Sequence, residues 1–248
     1  MDREPEQPRS PAATRSAATV VLLRDGELGV EVLLAQRPHD RGTFAGAWVF
    51  PGGAVDEADA AGGPADGLDA ARRAAVREVE EEVGLVVDAD ELVPFSLWTP
   101  PERSPKALTT AFFAVRVPDG ELRLAPDELV DAEWMRPVDA LERHSAGGFT
   151  LWPPTWVTLY GLLDSPSVDA ALAAYAAGEV RPYRARRDEV RRMVLWEEDE
   201  EYERLGTSDP NDDPNDGATA AAVAAAGAQG DRHRLLMDRL PWVYLHTS

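Results

Sequence analysis

The chain has 248 residues, of which 44% are hydrophobic, so it can bury a core for one domain with extensions or for two small domains. Its formal net charge of −20 repels phosphate backbones, which excludes broad nucleic-acid binding and means that an anionic substrate needs a bound metal or a few placed arginines. The absence of cysteine excludes disulfide bonds, thiolate zinc sites and a cysteine nucleophile.

The N-terminal segment is polar and rich in proline and arginine, and it lacks the apolar region of a secretion signal. We therefore expect residues 1–17 to form a disordered tail. No run of about 18 apolar residues occurs in the sequence, so we expect no membrane span and a cytoplasmic location.

Two apolar, β-branched runs surround Asp25-Gly26, one from Ala18 to Leu23 and the other from Val30 to Gln36. Asp-Gly between two such runs predicts a β-hairpin. Residues 54–67, which follow the strand breaker Pro51-Gly52-Gly53, are rich in alanine, aspartate and glycine and predict a loop.

Helices and further strands alternate downstream. The first predicted helix runs from Leu68 to Val83, and Gly84 is placed to cap its C-terminus. Periodicity predicts strands at Leu92 to Trp98, Leu108 to Val117 and Glu133 to Met135, and helices at Val138 to Arg143, Thr155 to Leu163 and Val168 to Ala177. The pattern from Val190 to Trp196 leaves helix and strand open, as does that from Leu235 to Leu245.

This order of elements predicts an α/β fold with a mixed sheet sandwiched between helices, followed by a helical extension, over residues 18–204. Residues 205–230 contain repeated Asp-Pro-Asn units and an alanine-glycine tract, which predicts a flexible linker. We expect residues 231–248 to pack back on the domain.

The predicted helix carries a cluster of carboxylates. Successive helical residues rotate by about 100°, so Glu78, Glu81 and Glu82 fall within an arc of about 100°, while Val79 and Val83 lie on a different face. Carboxylates so close together repel each other, and a hard divalent cation such as Mg²⁺ or Mn²⁺ would replace the repulsion by coordination. The alternative is an ordinary solvated acidic helix face.

The segment Arg77-Glu78-Val79-Glu80-Glu81-Glu82-Val83-Gly84-Leu85, with Gly53 upstream, resembles the Nudix box. That box reads glycine, five residues, glutamate, seven residues, then Arg-Glu-apolar-any-Glu-Glu-any-Gly-apolar. Gly53 and Arg77 are 24 positions apart where the box has 14, which indicates a ten-residue insertion. The first glutamate of the box falls on Asp69 when counted back from Arg77, and on Asp59 when counted forward from Gly53.

The resemblance implies a Nudix fold and a hydrolase that uses Mg²⁺ or Mn²⁺ to cleave a diphosphate linkage. It implies catalytic roles for Glu81 and Glu82, and metal ligation, direct or through water, by Glu78, Glu81 and Glu82. A backbone carbonyl at Gly52 or Gly53 would assist, and Arg77 would orient the glutamates.

Glu128 lies six residues before Trp134, in a predicted loop ahead of a short strand. Some Nudix hydrolases have a base or an extra metal ligand at a similar place, which implies such a role for Glu128. The alternative is an exposed acidic loop residue.

Residues near Gly53 also resemble the additional signature of coenzyme A diphosphatases within this family, at Leu33, Leu34, Arg37, Gly46 and Phe50-Pro51-Gly52-Gly53. The second arginine of that signature occurs one place early, at Arg41. Arg37 and Arg41 are then candidates for binding substrate phosphates, since guanidinium groups make bidentate contacts with them. A surface ion pair at the end of a strand is the alternative for Arg37.

Coenzyme A diphosphatases of the peroxisomal type often carry a basic segment before a pair of phenylalanines, and here that segment holds Arg103 and Lys106. Both are further candidates for substrate binding. The function implied is hydrolysis of a nucleoside diphosphate linked to another moiety, with coenzyme A or its acyl esters as the leading substrate.

Alternative substrates are ADP-ribose, NADH and nucleoside triphosphates, and the alternative to an enzyme is a nucleotide-sensing Nudix domain without catalysis. In each case we expect the ligand to be a small-molecule nucleotide and expect no binding to nucleic acid or membrane. We expect the protein to be a monomer or a homodimer.

Overall fold

A computed structural model describes residues 16–42, 44–101, 104, 108–206 and 230–247. Its strands are β1 (Ser16–Gly26), β2 (Gly29–Gln36), β3 (Trp48–Val49), β4 (Gly52–Ala54), β5 (Val93–Thr99), β6 (Thr109–Arg116), β7 (Asp131–Met135), β8 (Arg181–Arg184), β9 (Arg186–Asp188), β10 (Met193–Leu195), β11 (His233–Leu236) and β12 (Val243–His246). Its α-helices are α1 (Glu57–Ala60), α2 (Leu68–Val83), α3 (Pro137–Ser145), α4 (Pro153–Gly161), α5 (Val168–Ala177) and α6 (Tyr202–Gly206).

Eight strands form a mixed sheet at the centre of the molecule. Its order is β3-β2-β1-β6-β5-β8, with β4 also paired to β1 and β7 also paired to β2. The predicted hairpin of β1 and β2 is confirmed, and β1 pairs in parallel with β6 along its length. Ser16 and Ala17, which we expected in the tail, are the first residues of β1, where pairing with β4 and β6 buries them.

The side chains of β1 alternate between two cores, one on each face of the sheet. Val20 and Leu22 pack under α2, whereas Val21 and Leu23 pack with residues of α3, α4 and α5. The expected arrangement of a mixed sheet sandwiched between helices is therefore confirmed.

Helix α2 begins and ends where the sequence predicts. Gly84 has a φ of 73°, which a glycine adopts without steric cost, and its N–H donates to the carbonyl of Glu80. Residues 54–67, which we expected to form a loop, contain some regular structure, namely the end of β4 and the short helix α1. Asp56 and Asp59 form a capping box that stabilises this single turn.

The extension beyond α4 is not only helical, contrary to our expectation. After α5 the chain adds β8 to the edge of the main sheet beside β5, and β9 to β12 form a separate antiparallel sheet. Arg234 in β11 is fully buried and pairs with Asp199 and Glu201, so charges distant in sequence neutralise each other inside this sheet.

The C-terminal strands contact the main domain through aromatic rings, with Trp242 against His144 and Trp156. Helix α6 occupies the first two residues of the expected linker, and residues 207–229 of that linker, like residues 1–15 of the expected tail, lie outside the described residues. Within the described ranges, no helix has both the length and the apolar character needed to cross a membrane.

Candidate metal centre

Of the three glutamates predicted as metal ligands, helix α2 presents two toward the interior and one toward solvent. Glu82 is 3% exposed and Glu78 is 9% exposed, whereas the side chain of Glu81 is 56% exposed. Val79 and Val83, on the neighbouring face, are fully buried under the sheet and fix the rotation of the helix about its axis.

The turn at Pro51-Gly52-Gly53 lies directly against these two carboxylates. The N–H of Gly52 donates to Oε2 of Glu82 at 2.8 Å. A Cβ on Gly52 would stand 2.2 Å from the carbonyl oxygen of Ala18, and a Cβ on Gly53 would stand 2.3 Å from the carboxyl of Glu78. Only glycines allow the backbone to approach the helix so closely.

A third carboxylate reaches the cluster from the loop before β7. Carboxylate oxygens of Glu78, Glu82 and Glu128 lie within 4.8 Å of one another. The N–H of Ala125 donates to the carbonyl oxygen of Glu82, and Leu129 is buried, so both ends of the short segment around Glu128 are anchored. The sequence-predicted Glu81 is not among these three residues.

The electrostatics of the cluster disfavour three negative charges in the apo protein. Burial raises the pKa of Glu82 to about 7, although the Gly52 N–H and the nearby charge of Arg37 oppose the shift. Burial likewise raises the pKa of Glu78, and the charges of Glu81 and Glu128 act in the same direction.

Arg77 connects the short helix α1 to the cluster. Its guanidinium donates to Oδ2 of Asp59 at 2.8 Å, to Oε1 of Glu78 at 2.8 Å and to Oε2 of Glu81 at 2.9 Å. The hydrogen bond with Asp59 raises the pKa of Arg77, and although burial opposes ionisation of Asp59, the contact with Arg77 lowers the pKa of that carboxyl. Asp69 is exposed on the first turn of α2.

For the first acidic residue of the Nudix box, the structure favours Asp59 over Asp69. Asp59 is 6% exposed and paired with Arg77, whereas Asp69 faces solvent. Sequence reasoning named Asp59 only as one of two possibilities. The sequence feature that pointed to Asp59 was the spacing of the Nudix box counted forward from Gly53. That count reaches Asp59 if the ten extra residues follow the short helix α1.

Two arginines lie beside the cluster. Arg37 approaches the carbonyl oxygen of Gly52 at 3.5 Å, and its buried Nε has no hydrogen-bond partner among the described residues. Arg41 lies 3.5 Å from the carbonyl oxygen of Pro126 and 3.7 Å from Asp127, in the segment that carries Glu128. The other two predicted substrate contacts, Arg103 and Lys106, lie outside the described residues.

Comparison with known proteins agrees with this fold. A crystal structure of a NUDIX hydrolase from Alicyclobacillus acidocaldarius superposes with a TM-score of 0.59 at 25% identity, covering 67% of this chain and 98% of that one. The Caenorhabditis elegans protein named "Putative nudix hydrolase 7" is 26% identical over 176 residues, 56% of this chain and 57% of that protein, so the match spans just over half of that relative's length. The NUDIX domain model matches residues 13–152, more than half of the chain, and the chain therefore belongs to the Nudix domain family.

Proposed function

We propose that the protein is a metal-dependent hydrolase that cleaves the diphosphate linkage of a nucleoside diphosphate joined to another moiety. The observation that carries the proposal is the convergence of the Glu78, Glu82 and Glu128 carboxylates within 4.8 Å, beneath the two glycines of the Pro51-Gly52-Gly53 turn. Nudix hydrolases in general act on nucleoside diphosphate derivatives and use divalent metal ions, which supports both parts of the proposal.

The residues present fit a hard divalent cation. Three carboxylates are ligands that Mg²⁺ and Mn²⁺ accept, and thiolates, which these ions do not prefer, are absent from the chain. The space beside Glu78 exists only because Gly53 has no Cβ. Burial raises the pKa of Glu82 to about 7, which means that its negative charge is unfavourable in this position. A bound cation would compensate that charge.

When bound, the cation would supply Lewis-acid chemistry, making a water molecule more acidic and neutralising charge on the diphosphate oxygens. Glu78, Glu82 and Glu128 would hold it. Arg77 would keep Glu78 in place through their 2.8 Å contact, and the Gly52 N–H would do the same for Glu82. Glu81, exposed and paired with Arg77, would help to fix that guanidinium.

Coenzyme A or one of its acyl esters is our leading candidate for the substrate. Its support is the spacing of Arg37 and Gly46 with Phe50-Pro51-Gly52-Gly53, together with the position of Arg37 next to the Gly52 carbonyl. Arg37 is half-buried with its Nε unpartnered among the described residues, and its guanidinium would donate to a phosphate outside the scissile pair.

The test is hydrolysis of a panel of coenzyme A, ADP-ribose, NADH, dinucleoside polyphosphates and nucleoside triphosphates with Mg²⁺ or Mn²⁺. We expect Glu82→Gln to lower turnover of the best substrate by about two orders of magnitude or more and to weaken Mn²⁺ binding measured by electron paramagnetic resonance. Glu80→Gln, which makes the same charge change at an exposed position of the same helix, should match the wild type in both measurements.

Each part of the proposal can fail separately. Near-wild-type turnover by Glu82→Gln would contradict the assignment of the metal ligands. Turnover of another panel member in preference to coenzyme A would replace the substrate and keep the enzyme. Tight nucleotide binding with no turnover of any compound would show a nucleotide sensor instead of a hydrolase.

A further inference from the structure

A half-open cavity of about 260 Å³ lies at the edge of the core, on the face of the sheet opposite to α2. It is enclosed by α4 and α5 above and by β5 and β8 below, and we call it the α4–α5 cavity. Its floor is buried, with Ser96, Trp98 and Tyr183 between 2% and 8% exposed, and its mouth is formed by the exposed residues Ala174 and Glu179.

The α4–α5 cavity is separate from the metal centre. Gly52 of the metal turn pairs with Thr19, Thr19 pairs with Phe112, and Phe112 pairs with Ser96 of the cavity floor. Three strand spacings of about 4.8 Å place roughly 14 Å between the two sites along the sheet. The glutamates of α2 approach the sheet from its other face, and none of the three carboxylates of the metal centre lines this cavity.

Aromatic rings form the walls of the cavity. Phe95 stacks on Tyr175 with ring centroids 4.2 Å apart, and Trp98 stacks on Tyr183 with centroids 3.9 Å apart. Each ring of a stacked pair uses one face on its partner, and the flat, rigid surface left on the cavity side favours a flat aromatic ligand, which gains contact area at little entropic cost. A cavity of about 150 Å³ in another protein binds benzene, so 260 Å³ admits one or two rings.

Two hydroxyl groups at the cavity offer polar recognition. Thr158 is 5% exposed, and its Oγ1 has no hydrogen-bond partner in the described part of the chain, although a helical threonine commonly bonds the carbonyl one turn earlier. Because this oxygen is buried in the described conformation, it would reach a ligand in the cavity after rotation about χ1, for which helical threonines have two favoured rotamers. Burial raises the pKa of Tyr175, so its phenol stays protonated and can donate.

We propose that the α4–α5 cavity is a second binding site, apart from the metal centre, for a flat aromatic molecule of one or two rings that carries a hydrogen-bonding atom. The stacked walls recognise the rings, and the hydroxyls of Thr158 and Tyr175 recognise the polar atom. The proposal does not depend on the hydrolase activity, because no residue of the metal centre takes part.

Benzimidazole is a suitable probe, since it has two fused rings, one donor and one acceptor, and cyclohexanol is its saturated control. Isothermal titration calorimetry on the full chain should detect saturable binding of benzimidazole in the range of 10 µM to 1 mM, about what a fragment of this size gains, and no binding of cyclohexanol in that range. Absence of benzimidazole binding up to several millimolar would overturn the proposal, as would equal affinity for the two compounds.

Two adjacent alanines of α5 provide a matched pair of variants. Ala174→Leu places a larger side chain at the mouth and should weaken benzimidazole binding about tenfold or more, while Ala173→Leu, exposed on the same helix and outside the cavity lining, should leave it within twofold. Thr158→Val keeps the side-chain shape, removes the unpartnered hydroxyl and should weaken binding about three- to tenfold. Equal affinities for the two leucine variants would overturn the assignment to this cavity.

The separation of the two sites is tested in the same titration. Glu82→Gln should bind benzimidazole as the wild type does, and saturating coenzyme A with Mg²⁺ should leave the affinity unchanged. Competition between coenzyme A and benzimidazole would contradict a separate site and would make the cavity part of the substrate site. Failure of hydrolysis with intact benzimidazole binding would affect only the proposed function.

Discussion

Replacing Asp59 by asparagine tests the series of contacts that positions Glu78. The carboxylate of Asp59 is almost fully buried and accepts hydrogen bonds from Arg77 at 2.8 Å and 3.4 Å. Through its other nitrogen, Arg77 donates to Glu78 at 2.8 Å. Asparagine keeps the shape of the side chain but removes the charge that fixes the guanidinium.

The expected loss of stability depends on which hydrogen bonds the asparagine can still make. A hydrogen bond to a charged group contributes about 1.5–3 kcal/mol, and the amide oxygen preserves part of it, so we expect a loss of about 1.5 kcal/mol of stability. For a protein of this size that corresponds to a decrease of about 3–6 °C in Tm. Loss of a residue that orients a metal ligand typically lowers metal affinity or activity about 10- to 100-fold, and we expect kcat to fall within that range.

The assay compares Asp59→Asn with Asp69→Asn, its matched control at the alternative position of the motif. Initial rates with the best substrate at saturating Mn²⁺ give kcat and KM, and urea unfolding gives the stability of each variant. Asp69 is exposed, so its variant should retain wild-type turnover and stability. The reasoning is refuted if Asp59→Asn turns over substrate at the wild-type rate, or if Asp69→Asn is impaired as much.

Two further predictions concern the glycine turn and the small sheet. Gly53→Ala should fold normally, because the atoms nearest to the new Cβ belong to the carboxyl end of Glu78, which can shift at the cost of its hydrogen bond with Arg77. The increase in Tm on adding Mn²⁺ should largely disappear, and an unchanged increase would contradict the tight approach of Gly53 to Glu78. Burial opposes ionisation of Glu201, but hydrogen bonds from Arg234 and Arg191 outweigh it and lower its pKa from the ordinary 4.5 to about 2. A folded-state pKa below the unfolded one stabilises the protein above pH 4.5, and this contribution is lost as the pH falls from 4.5 to 2. Acid unfolding followed by tryptophan fluorescence should therefore show a steeper pH dependence in that window for the wild type than for Glu201→Gln.

The sequence predicted α2 well because several independent signals agree there. Its apolar residues recur at helical spacing, and Gly84 supplies the positive φ that ends the helix. The hairpin of β1 and β2 was predictable for a similar reason, since Asp25-Gly26 stands between two β-branched runs. Helix α1 was missed because a single turn of four residues has no periodicity to detect.

Helical geometry also explains which glutamates meet at the candidate site. Taking Glu78 as the origin, Glu82 lies about 40° toward the buried Val79 and Glu81 about 60° away from it. Burial follows the same order, with Glu82 at 3%, Glu78 at 9% and Glu81 exposed. The arc of three carboxylates was visible in the sequence, but the position of the sheet that buries two of them was not.

The C-terminal sheet could be predicted only in part, because contacts between charges distant in sequence contribute to it. The run from Glu197 to Glu203 looks like a solvated acidic surface in the sequence. In the structure Asp199 and Glu201 pair with Arg234, more than 30 residues later. No local sequence pattern predicts such a pairing. Short strands are normally recognised by alternating apolar residues, and here a buried charged residue, Arg234, stands within the strand.

The acidity of the chain bears on how an anionic substrate could be bound. The candidate site is itself acidic, and Arg77 is already shared among Asp59, Glu78 and Glu81. A diphosphate would therefore meet net repulsion there unless a divalent cation first compensated the carboxylates. Arg37 and Arg41 are the described arginines beside the cluster, and Arg37 has an Nε that is unpartnered among the described residues. If the proposed function holds, the metal would bind the scissile diphosphate and Arg37 would bind a phosphate beyond it.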